Sequence, residues 1–141
     1  MKRHPALASL SREHHHELSL ARGLRRAAAA APEQRLAAAA AYVDQFFGPT
    51  ADHFRLEEEV VFPVYTRHAG RTALVERILR EHMELQGLAR ELRAQVAAGA
   101  VSAETLTALG TLLHDHVRIE ERELFEDIQR VVPSAELEAL A

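Results

Sequence analysis

Residues 53–62 read HFRLEEEVVF, and residues 116–125 repeat the same pattern as HVRIEERELF. Both copies follow the form HxxxEE, with an apolar residue and a phenylalanine at the end. On an α-helix, residues four apart lie on the same face with their Cβ atoms about 6 Å apart, so an imidazole and a carboxylate can approach one ion. Each copy therefore predicts a chelating pair, His53 with Glu57 and His116 with Glu120.

A second, weaker repeat lies upstream of each copy. Arg12-Glu13-His14 matches residues 80–82, Arg-Glu-His. The chain thus divides into two similar halves, each with one EH element and one HxxxEE element.

Apolar residues recur at helical spacing along most of the chain, which predicts an all-α protein. Gly48-Pro49 predicts a kink in the second helix, and Pro133 ends the fourth. Long helices with short connections predict an antiparallel up-down four-helix bundle with a short C-terminal helix, in one domain of residues 1–141. The predicted helices cover about 6–30, 33–65 with a kink near 48–49, 72–98, 102–132 and 135–140.

Composition excludes several classes of function. The 141 residues carry a net charge of −4, with both signs interleaved, so neither nucleic acid nor a membrane surface is an expected partner. No apolar leader and no run of about 18 apolar residues occurs, and a cytoplasmic location is expected. The chain has no cysteine, which leaves histidines and carboxylates as metal ligands.

Helical wheels at about 100° per residue separate inward from outward side chains. In the first helix His14 falls on the apolar stripe, and His16 faces the opposite side. In the second helix His53, Glu57 and Val60 lie on one inward stripe.

The third and fourth helices show the same selection. His82 lies among apolar residues of the third helix, and His116 and Glu120 lie among those of the fourth, whereas His114 faces outward. The remaining histidines are expected at the surface or behind the ligands. Four residues lie beside the apolar stripes, and each could be either a solvated surface residue or a residue that supports a ligand: His15, Glu58, Glu121 and Glu123.

Each long helix therefore contributes one inward histidine, and two of them add a glutamate. Burying two carboxylates among apolar side chains costs several kcal/mol per charge unless a cation or a proton compensates it. Mixed imidazole and carboxylate donors suit iron, zinc or manganese, and six side chains are too many for one tetrahedral zinc. The predicted metal ligands of a dinuclear centre, with iron as the first choice, are His14, His53, Glu57, His82, His116 and Glu120.

This arrangement resembles the hemerythrin-like (HHE cation-binding) family from about Leu7 to Val132. The resemblance implies that each histidine binds an iron terminally and that Glu57 and Glu120 bridge two irons beside an oxo or hydroxo group, with an open position for a small ligand. Oxygen-carrying members have a second histidine four residues after the third-helix ligand, where this chain has Gln86. The chain is therefore more similar to the four-histidine, two-glutamate branch, which includes iron-sensing domains and proteins of nitrosative stress and iron-sulfur repair.

Three functions remain open at this stage. The first is a module that binds or senses dioxygen, nitric oxide, peroxide or iron. The second is a diiron enzyme that reduces nitric oxide or peroxide or serves iron-sulfur repair. Its candidate protein partners are a reductase, which would supply electrons, or a regulatory protein. The third is a structural bundle tied together by zinc or iron.

Overall fold

A computed structural model describes residues 1–140, and all regular structure in this range is helical. The all-α prediction is confirmed. The first helix is α1 (Pro5–Ala28), the second is α2 (residues 32–69), the third is α3 (Ala73–Ala98), the fourth is α4 (residues 103–131), and a short α5 (Ser134–Glu138) follows.

The ends of α3 and α4 follow local sequence signals. The Thr72 hydroxyl accepts a hydrogen bond from the backbone N–H of Val75, and the Ser102 hydroxyl accepts one from that of Thr105. Gly99 ends α3 with φ of 74°, a left-handed conformation that glycine adopts without strain. Val132 is extended before Pro133, and this ends α4.

Both α2 and α4 contain π-helical turns, which are wider than α-helical turns. In α2 they are Phe46–Thr50 and Glu57–Val61, and in α4 the turn is Glu120–Leu124. Gly48-Pro49 lies inside the first of these turns, so α2 widens there and continues. Two turns begin at the predicted ligands Glu57 and Glu120, in keeping with the frequent occurrence of π-turns at functional sites.

The π-turn at Glu57–Val61 corrects two expectations for α2. Val61 is buried at 3% exposure and Val60 is only partly buried, because the wider turn shifts the inward face by one residue. The helix also continues past Pro63 to Ala69, rather than ending near residue 65. A proline has no N–H to donate, and the wider turn before it accommodates that missing donor.

The four long helices pack in a ring of neighbours, in which α1 and α3 each contact both α2 and α4. Two apolar clusters fill the interior, one around Leu10, Phe62 and Ile128 and the other around Leu24 and Leu109. The predicted ligands lie between these clusters, near the middle of their helices. Within residues 1–140, no helix has the length and apolarity required to cross a membrane.

Candidate metal centre

The structure brings all six predicted ligands together in the interior. Glu57 and Glu120 are fully buried, and the four histidines are at most 3% exposed. They form two groups in which one donor atom from each residue lies within 4.8 Å of the others: His14, His53, Glu57 and Glu120 in one, and His82, His116 and Glu120 in the other.

The first histidine pair, His14 and His53, points both Nε2 atoms at one another at 3.0 Å. Glu57 Oε2 lies 3.3 Å from His53 Nε2 and 3.6 Å from His14 Nε2. Glu120 Oε2 lies 2.7 Å from His14 Nε2. Four donor atoms thus converge on one small volume.

The second histidine pair, His82 and His116, faces the other oxygen of each glutamate. Glu57 Oε1 is 3.3 Å from His82 Nε2, and Glu120 Oε1 is 3.4 Å from the same nitrogen. Glu120 Oε1 is also 3.0 Å from His116 Nε2. Each glutamate therefore turns one oxygen toward each histidine pair.

The unpaired polar atoms of this cluster test whether it fits a metal. Both carboxylate oxygens of Glu57 and of Glu120 are buried, and residues 1–140 offer them no hydrogen-bond donor outside the four histidines. The Nε2 atoms of His82 and His116 likewise have no partner outside the cluster. Buried polar atoms in native proteins are nearly always paired. Cations between these nitrogen and oxygen atoms would satisfy them, so the residues fit a metal site.

The electrostatics of the cluster point to the same need for positive charge. Burial on its own lowers the pKa of His14, but the adjacent Glu120 carboxylate outweighs it and holds that pKa well above the usual value. Burial likewise raises the pKa of Glu120, but His116 and His14 outweigh it and keep that pKa well below its usual range. Without metal, protons on the imidazoles balance the carboxylates, and a cation would replace them.

A second layer of carboxylates lies behind the histidines. The outward ring nitrogen, Nδ1, of each histidine lies near one of them: Glu13 at 2.7 Å from His53, Glu58 at 2.6 Å from His82, Glu81 at 2.9 Å from His116, and Glu121 at 3.7 Å from His14. A carboxylate only accepts, so in the three short contacts Nδ1 donates, and a neutral imidazole then directs its Nε2 lone pair inward.

The fourth contact is too long for a hydrogen bond. Glu121 Oε2 instead accepts a hydrogen bond from the Ser11 hydroxyl at 3.0 Å and lies 3.2 Å from Arg3 Nη2. The N-terminal segment thus holds the carboxylate behind His14.

The sequence left the roles of Glu58 and Glu121 open, and the structure places both behind histidines of the cluster. Glu123 is exposed, and so is His15. The sequence analysis did not assign Glu13 and Glu81 to the site. The repeated EH element carried the signal, because each glutamate directly precedes an inward histidine.

The structure agrees with the outward directions that the wheels assigned. His16 is exposed, and His114 is partly exposed and contacts Asp115. A buried carboxylate that the sequence reading missed is Glu17, at 3% exposure. It lies three residues after His14, which is helical spacing for the same face.

Comparison with known proteins adds a family. No curated protein and no solved structure gave a significant match to the chain. The family model described as hemerythrin HHE cation binding domain matches residues 6–128, which include all six clustered residues and the four carboxylates behind them. By this match and by the buried histidine and glutamate cluster, the chain belongs to the hemerythrin HHE cation-binding domain family.

Proposed function

We propose that the protein is a non-haem diiron protein that binds or senses a small oxidant or gas, of the class of dioxygen, nitric oxide or peroxide. The observation that carries the proposal is the placement of Glu57 and Glu120, each with one oxygen toward each histidine pair. Such a carboxylate can bridge two ions, and two histidines can bind each ion terminally. All six predicted ligands take part in this assignment, with an oxo or hydroxo bridge as a further expectation.

The number of ligands favours iron over structural zinc. Neutral imidazole and carboxylate together suit iron, zinc and manganese, whereas structural zinc sites are usually tetrahedral with four protein ligands. Two ions sharing two glutamates and four histidines would have coordination positions left for a small molecule. A bound iron pair would supply reversible electron transfer to such a molecule.

The chain's own residues prepare this site. Glu13, Glu58 and Glu81 hold Nδ1 of three histidines, which fixes the ring orientation and increases the basicity of the inward nitrogen. The apolar clusters above and below the site exclude water from those two sides. We also infer that α1 to α4 form an antiparallel bundle, since neighbours in the chain are joined by short connections.

The first test is the metal content of aerobically purified protein, measured together with its near-ultraviolet and visible absorption. About two irons per chain with the charge-transfer bands of an oxo-bridged diferric centre support the proposal. About one zinc per chain and no visible absorption would overturn it and favour the structural bundle.

The second test separates a binding module from an enzyme. The reduced iron protein is mixed anaerobically with nitric oxide, dioxygen or hydrogen peroxide, and the spectrum is followed with and without an added reductant. Stoichiometric binding that stops after one equivalent indicates sensing or storage. Repeated consumption indicates an enzyme, with a reductase as its proposed partner.

A further inference from the structure

A cavity of about 680 Å³ lies between α1 and α2, beside the first histidine pair. Exposed charged side chains line its outer part, among them Arg12 and Asp52. Glu17, Thr50 and His53 line it as well, and these three are buried. The cavity therefore leads from solvent to one end of the candidate metal centre.

The inner wall of this cavity carries polar atoms that lack partners. Glu17 is 3% exposed and Thr50 is 1% exposed, and within the described residues neither Glu17 Oε2 nor Thr50 Oγ1 has a hydrogen-bond partner. Tyr42 is outside the cavity lining, and its buried hydroxyl also has no partner within residues 1–140; burial together with the charge of Glu17 raises its pKa. Buried groups of this kind call for an explanation, such as a water or a ligand bound beside them.

The repeat shows that these groups are specific to one end of the centre. Glu17 lies three residues after His14, and the equivalent position after His82 is Leu85. Thr50 lies three residues before His53, and the equivalent position before His116 is Leu113. Both leucines are fully buried.

The first histidine pair therefore has two hydrogen-bonding groups where the second pair has two apolar ones. Bundle packing alone does not require this difference, because leucine fills the equivalent positions in the other half. Two bound ions would therefore have chemically unequal surroundings.

Building on the function proposed above, we propose that Glu17 and Thr50 form a hydrogen-bonding subsite that selects a small neutral protic ligand, of the class of hydrogen peroxide, for the ion at the first histidine pair. A protic molecule satisfies both side chains, since a carboxylate accepts a hydrogen bond and a hydroxyl donates or accepts one. Dioxygen and nitric oxide carry no proton to donate. A small anion is repelled by the carboxylate of Glu17 at the inner wall. Glu13 and Asp52 add two further negative charges to the cavity, and Arg12 adds a positive one.

The test uses iron-loaded protein at pH 8 and two measurements. Loss of Glu17 is expected to weaken the reaction with peroxide and to strengthen the binding of an anion. The first is the second-order rate constant for oxidation of the diferrous protein by hydrogen peroxide. The second is the dissociation constant of azide from the diferric protein, followed by visible absorption. Azide is an anionic probe that gives a binding constant independent of turnover.

The principal variant is Glu17→Leu, which copies Leu85 of the other half. We expect the peroxide rate constant to fall by about tenfold or more, the effect of one lost charge-assisted hydrogen bond. Azide is expected to bind more tightly by up to about tenfold, since a like charge is removed. Glu17→Gln keeps the side-chain shape, and we expect the same tightening of azide with a smaller loss of peroxide rate.

Thr50→Val separates hydrogen bonding from charge. It removes the hydroxyl without changing charge, so we expect a slower peroxide reaction and no tighter azide binding. Leu85→Met is the matched control at the equivalent position of the other half, and it is expected to leave both measurements unchanged. All variants are first checked for two irons per chain.

Three results would overturn the subsite. If Glu17→Leu and Glu17→Gln both leave peroxide and azide unchanged, the cavity selects nothing. If Glu17→Gln loses one iron, Glu17 is a metal ligand. If the variants load Fe²⁺ more slowly but react normally once loaded, the cavity is a route for the metal. A wild-type chain without two irons would instead contradict the diiron proposal itself, before any variant is compared.

Discussion

Replacement of Glu81 by glutamine tests how far the carboxylates behind the histidines control metal binding. Glu81 Oε1 accepts a hydrogen bond from His116 Nδ1 at 2.9 Å, and Oε2 accepts one from Arg77 Nε at 3.1 Å. Burial by itself raises the pKa of Glu81, but these two donors outweigh it and lower the pKa, so the group is ionised at neutral pH. Glutamine has the same shape but only one acceptor oxygen, so one of the two donors loses its partner.

The size of the effect follows from the position of Glu81. It is 7% exposed, so solvent screens the lost interaction only weakly. Loss of an outer partner of a metal-bound histidine typically costs about 10- to 100-fold in metal affinity, which corresponds to about 1.4–2.7 kcal/mol. We expect this loss for one of two bound ions, the ion at the second histidine pair.

Competition with a coloured chelator measures both dissociation constants. Glu84→Gln is the matched control, because Glu84 lies on the same helix and is exposed. In a His116→Ala background, Glu81→Gln should add little, since its effect passes through that imidazole. Unchanged affinity in Glu81→Gln, or an equal loss in Glu84→Gln, would refute the reasoning.

The remaining predictions concern the ligands, the metal-free protein and the packing of α1 on α4. Glu120→Ala should reduce metal content to one ion or none while His16→Ala leaves it unchanged, and elemental analysis with the reverse ranking would contradict the ligand assignment. Burial lowers the pKa of His53, but the charge of Glu57 outweighs burial and raises that pKa from 6.5 to about 9. The attraction between the protonated His53 and Glu57 therefore stabilises the metal-free protein fully below about pH 6.5 and is lost as pH rises through 9. Melting of chelator-treated protein should therefore occur at lower temperature at pH 9 than at pH 6.5, and the opposite trend would show that the histidine does not interact with its carboxylate as described. Gly110→Ala places a methyl group 2.9 Å from the carbonyl oxygen of Ala21 and should lower the free energy of unfolding by about 1–3 kcal/mol. An unchanged free energy in urea unfolding would show that the helices are not in close contact there.

Helical periodicity predicted much of this structure from the sequence. The all-helical fold follows from apolar residues at helical spacing, and the inward direction of His53 and Glu57 follows from their separation by four residues. These are local properties of one helix, and the angle per residue determines them without knowledge of any neighbour. The same reasoning was wrong at Val60, because a π-turn changes that angle.

Helical spacing was therefore enough to predict the helices, the inward histidine on each long helix and the two HxxxEE pairs. Contacts between helices emerged only from the folded chain: Glu13 of α1 contacts His53 of α2, Glu57 and Glu120 each face both histidine pairs, and Glu17 lies on a cavity wall. The difference comes from the range of the interactions. Spacing along one helix is set by backbone hydrogen bonds, whereas contacts between helices depend on how whole faces pack, and no short stretch of sequence encodes that packing.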